Sequence, residues 1–117
     1  MGAEEPSVSE CAGPAQTSRP TGETRYRHVV LFRLHAGVSA AAQEEALRTL
    51  RRLGDQPGVL AWTVERSLDE RKGTVFVELG TFESVQAFES FRRSDEHHAA
   101  SRVMREISDW LVGDFWE

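Results

Sequence analysis

The chain has only one cysteine, Cys11, so no disulfide can form within it. This count agrees with a reducing compartment. No apolar run approaches the roughly 20 residues that a helix needs to span a bilayer. The N-terminus carries Glu4 and Glu5 and has no apolar stretch, so we expect no secretory signal there. These absences predict a cytoplasmic protein that does not contact a membrane.

Several functional motifs are missing as well. The sequence has no glycine-rich dinucleotide fingerprint, no phosphate-binding loop and no His-Glu-x-x-His zinc motif. The net charge is −5 and no basic stripe alternates with aromatic residues, which argues against nucleic-acid binding. The segment 95–98 combines acids and histidines, but only Asp95 and His98 have the spacing of metal ligands on a helix. A charged capping turn explains the same residues, so we predict no metal site.

The N-terminal residues 1–24 are rich in Gly, Pro, Ala, Ser and Thr, and Val8 is their only large aliphatic residue. Such a segment cannot bury enough apolar surface to offset the entropy that ordering would cost. We therefore predict a flexible tail at residues 1–24 and one folded domain at residues 25–117. Cys11 lies in the tail, where it is either a reactive thiol or, as we favour, an inert exposed residue.

The remaining chain alternates between strand-like and helix-like patterns. Residues 29–32 are β-branched, aliphatic or aromatic, which favours a buried central strand. Apolar stripes at helical spacing begin after Ser39, at Glu83 or Ser84, and after Ser94, and both Ser39 and Ser94 can cap a helix. The predicted order is a strand at 27–34, a helix at 40–53, strands at 59–68 and 74–82, a helix pair opening near Ser84 and at Ser94, and a terminal strand at 110–116.

This order is the β-α-β-β-α-β pattern of a ferredoxin-like α+β domain. Right-handed crossovers place the helices on one side of the sheet. The strands are nevertheless apolar at both parities, since Val29 and Leu31 alternate with Val30 and Phe32. An exposed apolar face of that extent indicates a partner. We predict a homodimer in which two sheets pack into a dimeric α/β barrel.

Histidines are the candidate catalytic residues. His28 shares a strand face with Val30 and Phe32, so it is either a site residue or a packed histidine that a carbonyl or water satisfies. We expect His35 to be solvated. His97 and His98 are adjacent and point about 100° apart on a helix, so at most one can enter a cavity. A solvated helix turn is the alternative for this pair.

Taken together, the sequence motifs resemble the stress-responsive A/B barrel (Dabb) family over about residues 25–117. The resemblance implies a ferredoxin-like subunit in a homodimeric barrel, usually without a cofactor, with a cavity between helices and sheet. It rests on these motifs: Arg-His-Val-Val-Leu-Phe-Arg-Leu at 27–34, Gln-Pro-Gly-Val at 56–59, the strand at 75–82, Ser-Asp-Glu-His at 94–97, and Asp-Phe at 114–115.

The family includes a plant polyketide cyclase that performs an aldol condensation, and its active-site histidines match His28 and His97. The resemblance implies that His97 is the base and that His28 has an orienting role. A tyrosine that assists the base in that enzyme is matched by Phe91, which has no hydroxyl, and the first histidine of its turn is matched by Ser94. We expect a hydrophobic pocket lined by Val30, Phe32, Trp62, Phe88, Phe91 and Ser94.

Three functions are compatible with this site. The first is a cofactor-free cyclase or isomerase that acts on a small polyketide-like or aromatic substrate, because an imidazole has a pKa near neutrality and can remove a proton next to a carbonyl. The second is a non-catalytic dimer that binds a small hydrophobic ligand or contributes to stress tolerance. The third, ranked well behind, is a haem-handling or monooxygenase barrel.

Overall fold

The computed structural model describes residues 24–117. The predicted tail, with Cys11, therefore lies outside the described residues, except for Thr24. In chain order the elements are β1 (Tyr26–Leu34), α1 (Ala40–Arg52), a short 3-10 helix (Leu53–Asp55), β2 (Val59–Arg66), β3 (Val75–Phe82), α2 (Val85–Arg92), α3 (Asp95–Ile107), β4 (Ser108–Val112) and β5 (Phe115–Trp116).

Each α-helix begins at a serine that caps it. The hydroxyl of Ser39 accepts a hydrogen bond from the backbone N–H of Ala42 at 3.1 Å. Ser84 accepts one from Ala87 at 3.0 Å, and Ser94 accepts one from His97 at 3.1 Å. These bonds satisfy amides that have no partner within the helix, which is why the helices begin at these serines. The predicted caps are confirmed.

The strands form one antiparallel sheet in the order β2-β3-β1-β4, and β5 also pairs with β1. This is the ferredoxin-like arrangement that the order of elements predicted, with β1 in the interior of the sheet. The core lies between the inner sheet face and the helices. It contains Val30, Phe32, Leu34, Val64, Phe76 and Phe82 from the strands and Ala46, Leu47, Leu50, Phe88, Phe91, Ala100 and Met104 from the helices.

Two details of the strands differ from the sequence prediction. The terminal strand is split into β4 and β5, because the chain leaves the sheet at Gly113 and Asp114. In β2, strict alternation predicts that Leu60 shares a face with Trp62 and Val64, but Leu60 is exposed. A register shift between Val59 and Ala61 explains this, since an irregular pairing interrupts strict alternation.

The other side of the sheet, which we call the outer face, consists of Val29, Leu31, Val77, Leu79 and Leu111. Leu31 and Leu111 are cross-strand neighbours with 44% and 75% of their surface exposed. Leu31 also faces Val77, and Val29 faces Leu79. No helix of the described residues covers this apolar face, because all three pack on the inner side.

Candidate active site

His28 is the most enclosed histidine of the described chain, with 5% of its surface exposed. It lies near the beginning of β1 and faces Gly80 of β3. Two carboxylates flank its ring. Nδ1 lies 2.9 Å from Oδ1 of Asp114, and Nε2 lies 3.2 Å from Oε2 of Glu78. Glu78 reaches the ring because it is two residues from Gly80 on the same strand face.

Asp114 is placed by the break between β4 and β5. The N–H of Gly113 donates to the carbonyl of Val29 at 2.9 Å, which turns the next side chain back towards β1. Oδ1 of Asp114 accepts from the Val29 N–H at 3.1 Å, and Oδ2 accepts from the Tyr26 hydroxyl at 2.6 Å. These bonds fix the Asp114 carboxylate beside the His28 ring.

These contacts determine the charge of His28. Burial alone lowers the pKa of His28, but the hydrogen bonds to Asp114 and Glu78, together with their negative charges, raise this pKa from 6.5 to about 9. The ring is therefore an imidazolium at neutral pH, and each of its N–H groups donates to a carboxylate. Burial and the adjacent charge of Asp114 also raise the pKa of Tyr26, so that its phenol stays protonated.

His97 lies in the first turn of α3 and is half-buried. Its ring packs edge-on against Phe91, with the centroids 5.2 Å apart. Burial, together with the positive charges of His28, His98 and Arg92, lowers the pKa of His97 from 6.5 to about 4. The sequence predicted a base of near-neutral pKa at this position. In the folded chain His97 is instead a neutral imidazole over the physiological range.

Nδ1 of His97 lies 3.4 Å from the hydroxyl of Ser101, one helical turn further along α3. If Nδ1–H donates to this hydroxyl, the ring lone pair is on Nε2. Among residues 24–117 we find no hydrogen-bond partner for Nε2. His97 can therefore accept a proton, whereas both ring nitrogens of His28 are already engaged.

A cluster of aromatic rings separates the two histidines. Phe88 contacts His28 at a centroid distance of 4.7 Å and stacks on Tyr26 at 4.6 Å. Phe88 lies 6.3 Å from Phe91, which in turn contacts His97. The helix α2 carries both phenylalanines, which form a chain of ring contacts between His28 and His97.

The structure places the other predicted lining residues as follows. Trp62 contacts Phe91 at 5.4 Å, and its Nε1–H donates to the carbonyl of Leu50. Phe32 lies further along β1 against Trp110, and Val30 is buried in the core. The Ser94 hydroxyl is engaged by the backbone, since it caps α3 and donates to the carbonyl of Phe91 at 2.8 Å. The role of these residues in binding remains a prediction.

Two surface hollows lie elsewhere. One, of about 310 Å³, is lined by residues that include Gly54, Val59 and Trp62. The other, of about 500 Å³, lies at the end of β1 that is remote from His28, and it is lined by residues that include Arg33 and Lys72. Neither is lined by His28 or His97, because Phe88 and Phe91 fill the space between the histidines.

Glu78 was missed as a site residue by the sequence analysis. The available signal was an acid at the inward-facing parity of a strand, with Phe76 and Phe82 on the same face. The link between His28 and Asp114, which are 86 residues apart in sequence, had no local signal. Within residues 24–117, no group of three or more His, Cys, Asp or Glu side chains is arranged to hold a metal ion. None of the described helices has the length and apolar character that crossing a membrane requires.

Comparison with known proteins agrees with the predicted resemblance. The sequence model of the "Stress responsive A/B Barrel Domain" (Dabb) matches residues 26–117. No curated protein matches the chain significantly. Among solved structures, a Dabb family protein with a ferredoxin-like fold from Mesorhizobium loti is 22% identical, with a TM-score of 0.66, and the match covers 79% of this chain and 95% of that chain.

Other solved structures share the fold at similarly low identity. A dimeric ferredoxin-like protein from Thermobifida fusca is 19% identical over 79% of this chain and 90% of that chain, with a TM-score of 0.71. The hydroxynitrile lyase of Passiflora edulis is 19% identical over 80% of this chain and 93% of that chain, also with a TM-score of 0.71. SnoaB, a cofactor-independent oxygenase from Streptomyces nogalater, is 23% identical over 78% of this chain and 90% of that chain, with a TM-score of 0.64. At these identities the similarity shows the fold alone.

Proposed function

The chain belongs to the stress-responsive A/B barrel (Dabb) family, and on that premise we propose that it is a homodimeric barrel that performs cofactor-free acid–base chemistry. The substrate is a small polyketide-like or aromatic molecule. His97 is the base, and His28 has an orienting role. The observation that carries this proposal is the contrast between the two rings. Both nitrogens of His28 are held by carboxylates, whereas Nε2 of His97 has no partner within the described residues. The neighbours described as a lyase and an oxygenase support catalysis on this fold.

The chemistry is removal of a proton from a carbon next to a carbonyl. The lone pair on Nε2 of His97 takes the proton, the electron pair of the C–H bond moves into the carbonyl, and an enolate forms. A base whose pKa lies near 4 is always deprotonated at neutral pH but is weak. It suits a carbon that is already acidic, such as one between two carbonyl groups of a polyketide.

Hydrophobic binding follows from the residues around His97. We propose that Val30, Phe32, Trp62, Phe88, Phe91 and Ser94 line the substrate pocket. Phe88 and Phe91 are now packed in the core, so a substrate must displace their rings to reach both histidines. Because α2, which carries both rings, has only 8 residues, a shift of this short helix is the movement that we expect.

The proton-transfer proposal can be tested with a β-diketone that carries a phenyl group. The rate at which its central C–H exchanges with D2O is followed by NMR, after the rate in buffer is subtracted. We expect the wild-type chain to accelerate exchange, and we expect His97→Gln to lose about 100-fold or more of that acceleration. His98→Gln is the matched control, because His98 is adjacent but exposed, and it should exchange like the wild type. Equal rates for His97→Gln and the wild type would contradict the role of His97.

Dimerisation is the second part of the proposal, and the outer face supports it. This face leaves Leu31 and Leu111 exposed beside Val77, and the Thermobifida relative is described as dimeric. Sedimentation of the wild type should give twice the 13.1 kDa of one chain. Leu31→Glu places a charge in the middle of the face and should give a single chain, whereas Leu68→Glu, in a fully exposed loop, should not. A wild type that sediments as one chain overturns this part.

A non-catalytic binding function is the second candidate, and Phe91 is the observation that favours it. The hydroxyl that assists the base in the related cyclase is absent, and the phenylalanine ring occupies the space beside His97. This function predicts that an aromatic ligand binds and is recovered unchanged, as mass spectrometry after incubation would show. We also propose a cytoplasmic location, which cell fractionation tests.

A further inference from the structure

Glu78 is a carboxylate in an apolar environment. Only 3% of its surface is exposed, and it lies on the inner face of β3. Its cross-strand partners are Val30 on one side and Val64 on the other, and both are core residues. Acids are almost never fully buried unless they are paired, because removing a charge from water is costly. An aliphatic residue would suit this part of the core better.

The two oxygens of Glu78 have different environments. Oε2 lies 3.2 Å from Nε2 of His28. Oε1 is buried and has no hydrogen-bond partner among the described residues. A buried polar atom without a partner lowers stability, and such atoms in a native fold call for an explanation. Packing does not require this side chain, so its contact with His28 is the feature that explains it.

We propose that Glu78 is a positioning residue that holds the His28 ring as a doubly hydrogen-bonded cation, in the orientation that the site uses. This inference rests on the proposed function for the use of that ring in catalysis, but the charge and the orientation of the ring do not depend on it. With an amide in place of the carboxylate, only Asp114 still stabilises the charged ring, while burial favours the neutral form. The pKa of His28 is then lower, and Nε2–H of the ring no longer donates to a charged acceptor.

Other charged groups surround the two rings. His28 faces Glu78 of β3 and Asp114 of the β4–β5 connection, and Phe88 covers it from α2. His97 experiences the charges of His98 on its own helix and of Arg92 at the end of α2, in addition to that of His28. Because these other groups stay in place in a Glu78 variant, a change in the His28 titration reports on the removed carboxylate.

The experiment is an NMR titration of the full-length protein labelled with 15N-histidine. In Glu78→Gln, the pKa of His28 should fall by at least about one unit. The pKa of His97 should not rise, because His28 is still protonated at the low pH at which His97 titrates. Asp109→Asn is the matched control. It alters the other described histidine–carboxylate pair on the sheet, His35 and Asp109 at 3.6 Å, which is exposed, and it should leave both titrations unchanged. An unchanged His28 titration in folded Glu78→Gln overturns the proposal.

A second variant, Glu78→Leu, guards against loss of folding, because an apolar residue suits the Val30 and Val64 environment. It should lower the pKa of His28 as the amide does, and the same result as wild type would count against the proposal. The deuterium-exchange assay separates the two proposals. If the wild type accelerates exchange through His97 and the Glu78 variants accelerate it equally, the positioning role fails and the function stands. If the His28 titration shifts as expected but no exchange occurs, the function fails and the hold of Glu78 on the His28 ring stands.

Discussion

The protonated state of His28 predicts that stability falls as pH rises above neutrality. Its pKa is raised from 6.5 in an unfolded chain to about 9 in the fold. A raised pKa contributes stability that is fully present below pH 6.5 and is lost as pH rises through the folded value. The difference of roughly 2.5 units, at about 1.4 kcal/mol per unit, corresponds to about 3 kcal/mol. This is a large share of the roughly 5–15 kcal/mol that stabilises an ordinary domain.

Urea unfolding at constant ionic strength, at intervals between pH 6 and 9.5, measures this loss. In Asp114→Asn the shortest contact to His28 is weakened, since the amide no longer carries the charge that lies 2.9 Å from Nδ1. The variant should be less stable than the wild type at pH 6, and its stability should depend less on pH up to 9.5. Asp109→Asn, at the exposed pair with His35, should retain the wild-type slope. A wild-type stability that stays constant or rises over this range would refute the assignment of a cation to His28.

Three further predictions concern single residues. Gly80→Ala should lower the free energy of unfolding, measured in urea, by about 1–3 kcal/mol, because the added Cβ would lie 2.7 Å from Trp62 Cζ3. In the control Gly113→Ala the added Cβ meets nothing within 4 Å, so the free energy of unfolding should change little. Tyr26 is the only tyrosine of the sequence, and burial raises its pKa. Absorbance at 295 nm should therefore show no phenolate near pH 10 until the chain unfolds. Ionisation of Tyr26 in the folded protein would contradict its hydrogen bond to Asp114. Phe91→Tyr should increase β-diketone exchange by about tenfold or more through a hydroxyl beside His97, and an unchanged rate would exclude that assistance.

Local signals in the sequence were sufficient for much of the fold. Ser39, Ser84 and Ser94 each cap the helix that follows, because a cap depends on residues only three apart. The alternation in β1 grouped His28, Val30 and Phe32 on one face, and this is the face that packs in the core. In contrast, the exposure of Leu60 depends on a register shift between β2 and β3, which a single strand pattern does not encode.

The charges of the site could not be predicted from the sequence. Its pattern placed His28 on an apolar face, but the Asp114 carboxylate comes from 86 residues further along, through a break in the last strand. The pattern of β3 placed Glu78 on the same face as Phe76, but its contact with His28 depends on the pairing of β1 with β3. The lowered pKa of His97 depends on burial and on three positive groups from different elements. All these effects need the tertiary structure.

The proposed site therefore contains two histidines in different charge states, the cationic His28 and the neutral His97. The most direct test is the 15N spectrum of histidine-labelled wild-type protein at pH 7, in which the shifts of both ring nitrogens report protonation. The account predicts that His28 shows two protonated nitrogens and that His97 shows one protonated and one bare nitrogen. A neutral His28 or a protonated His97 at this pH would contradict it.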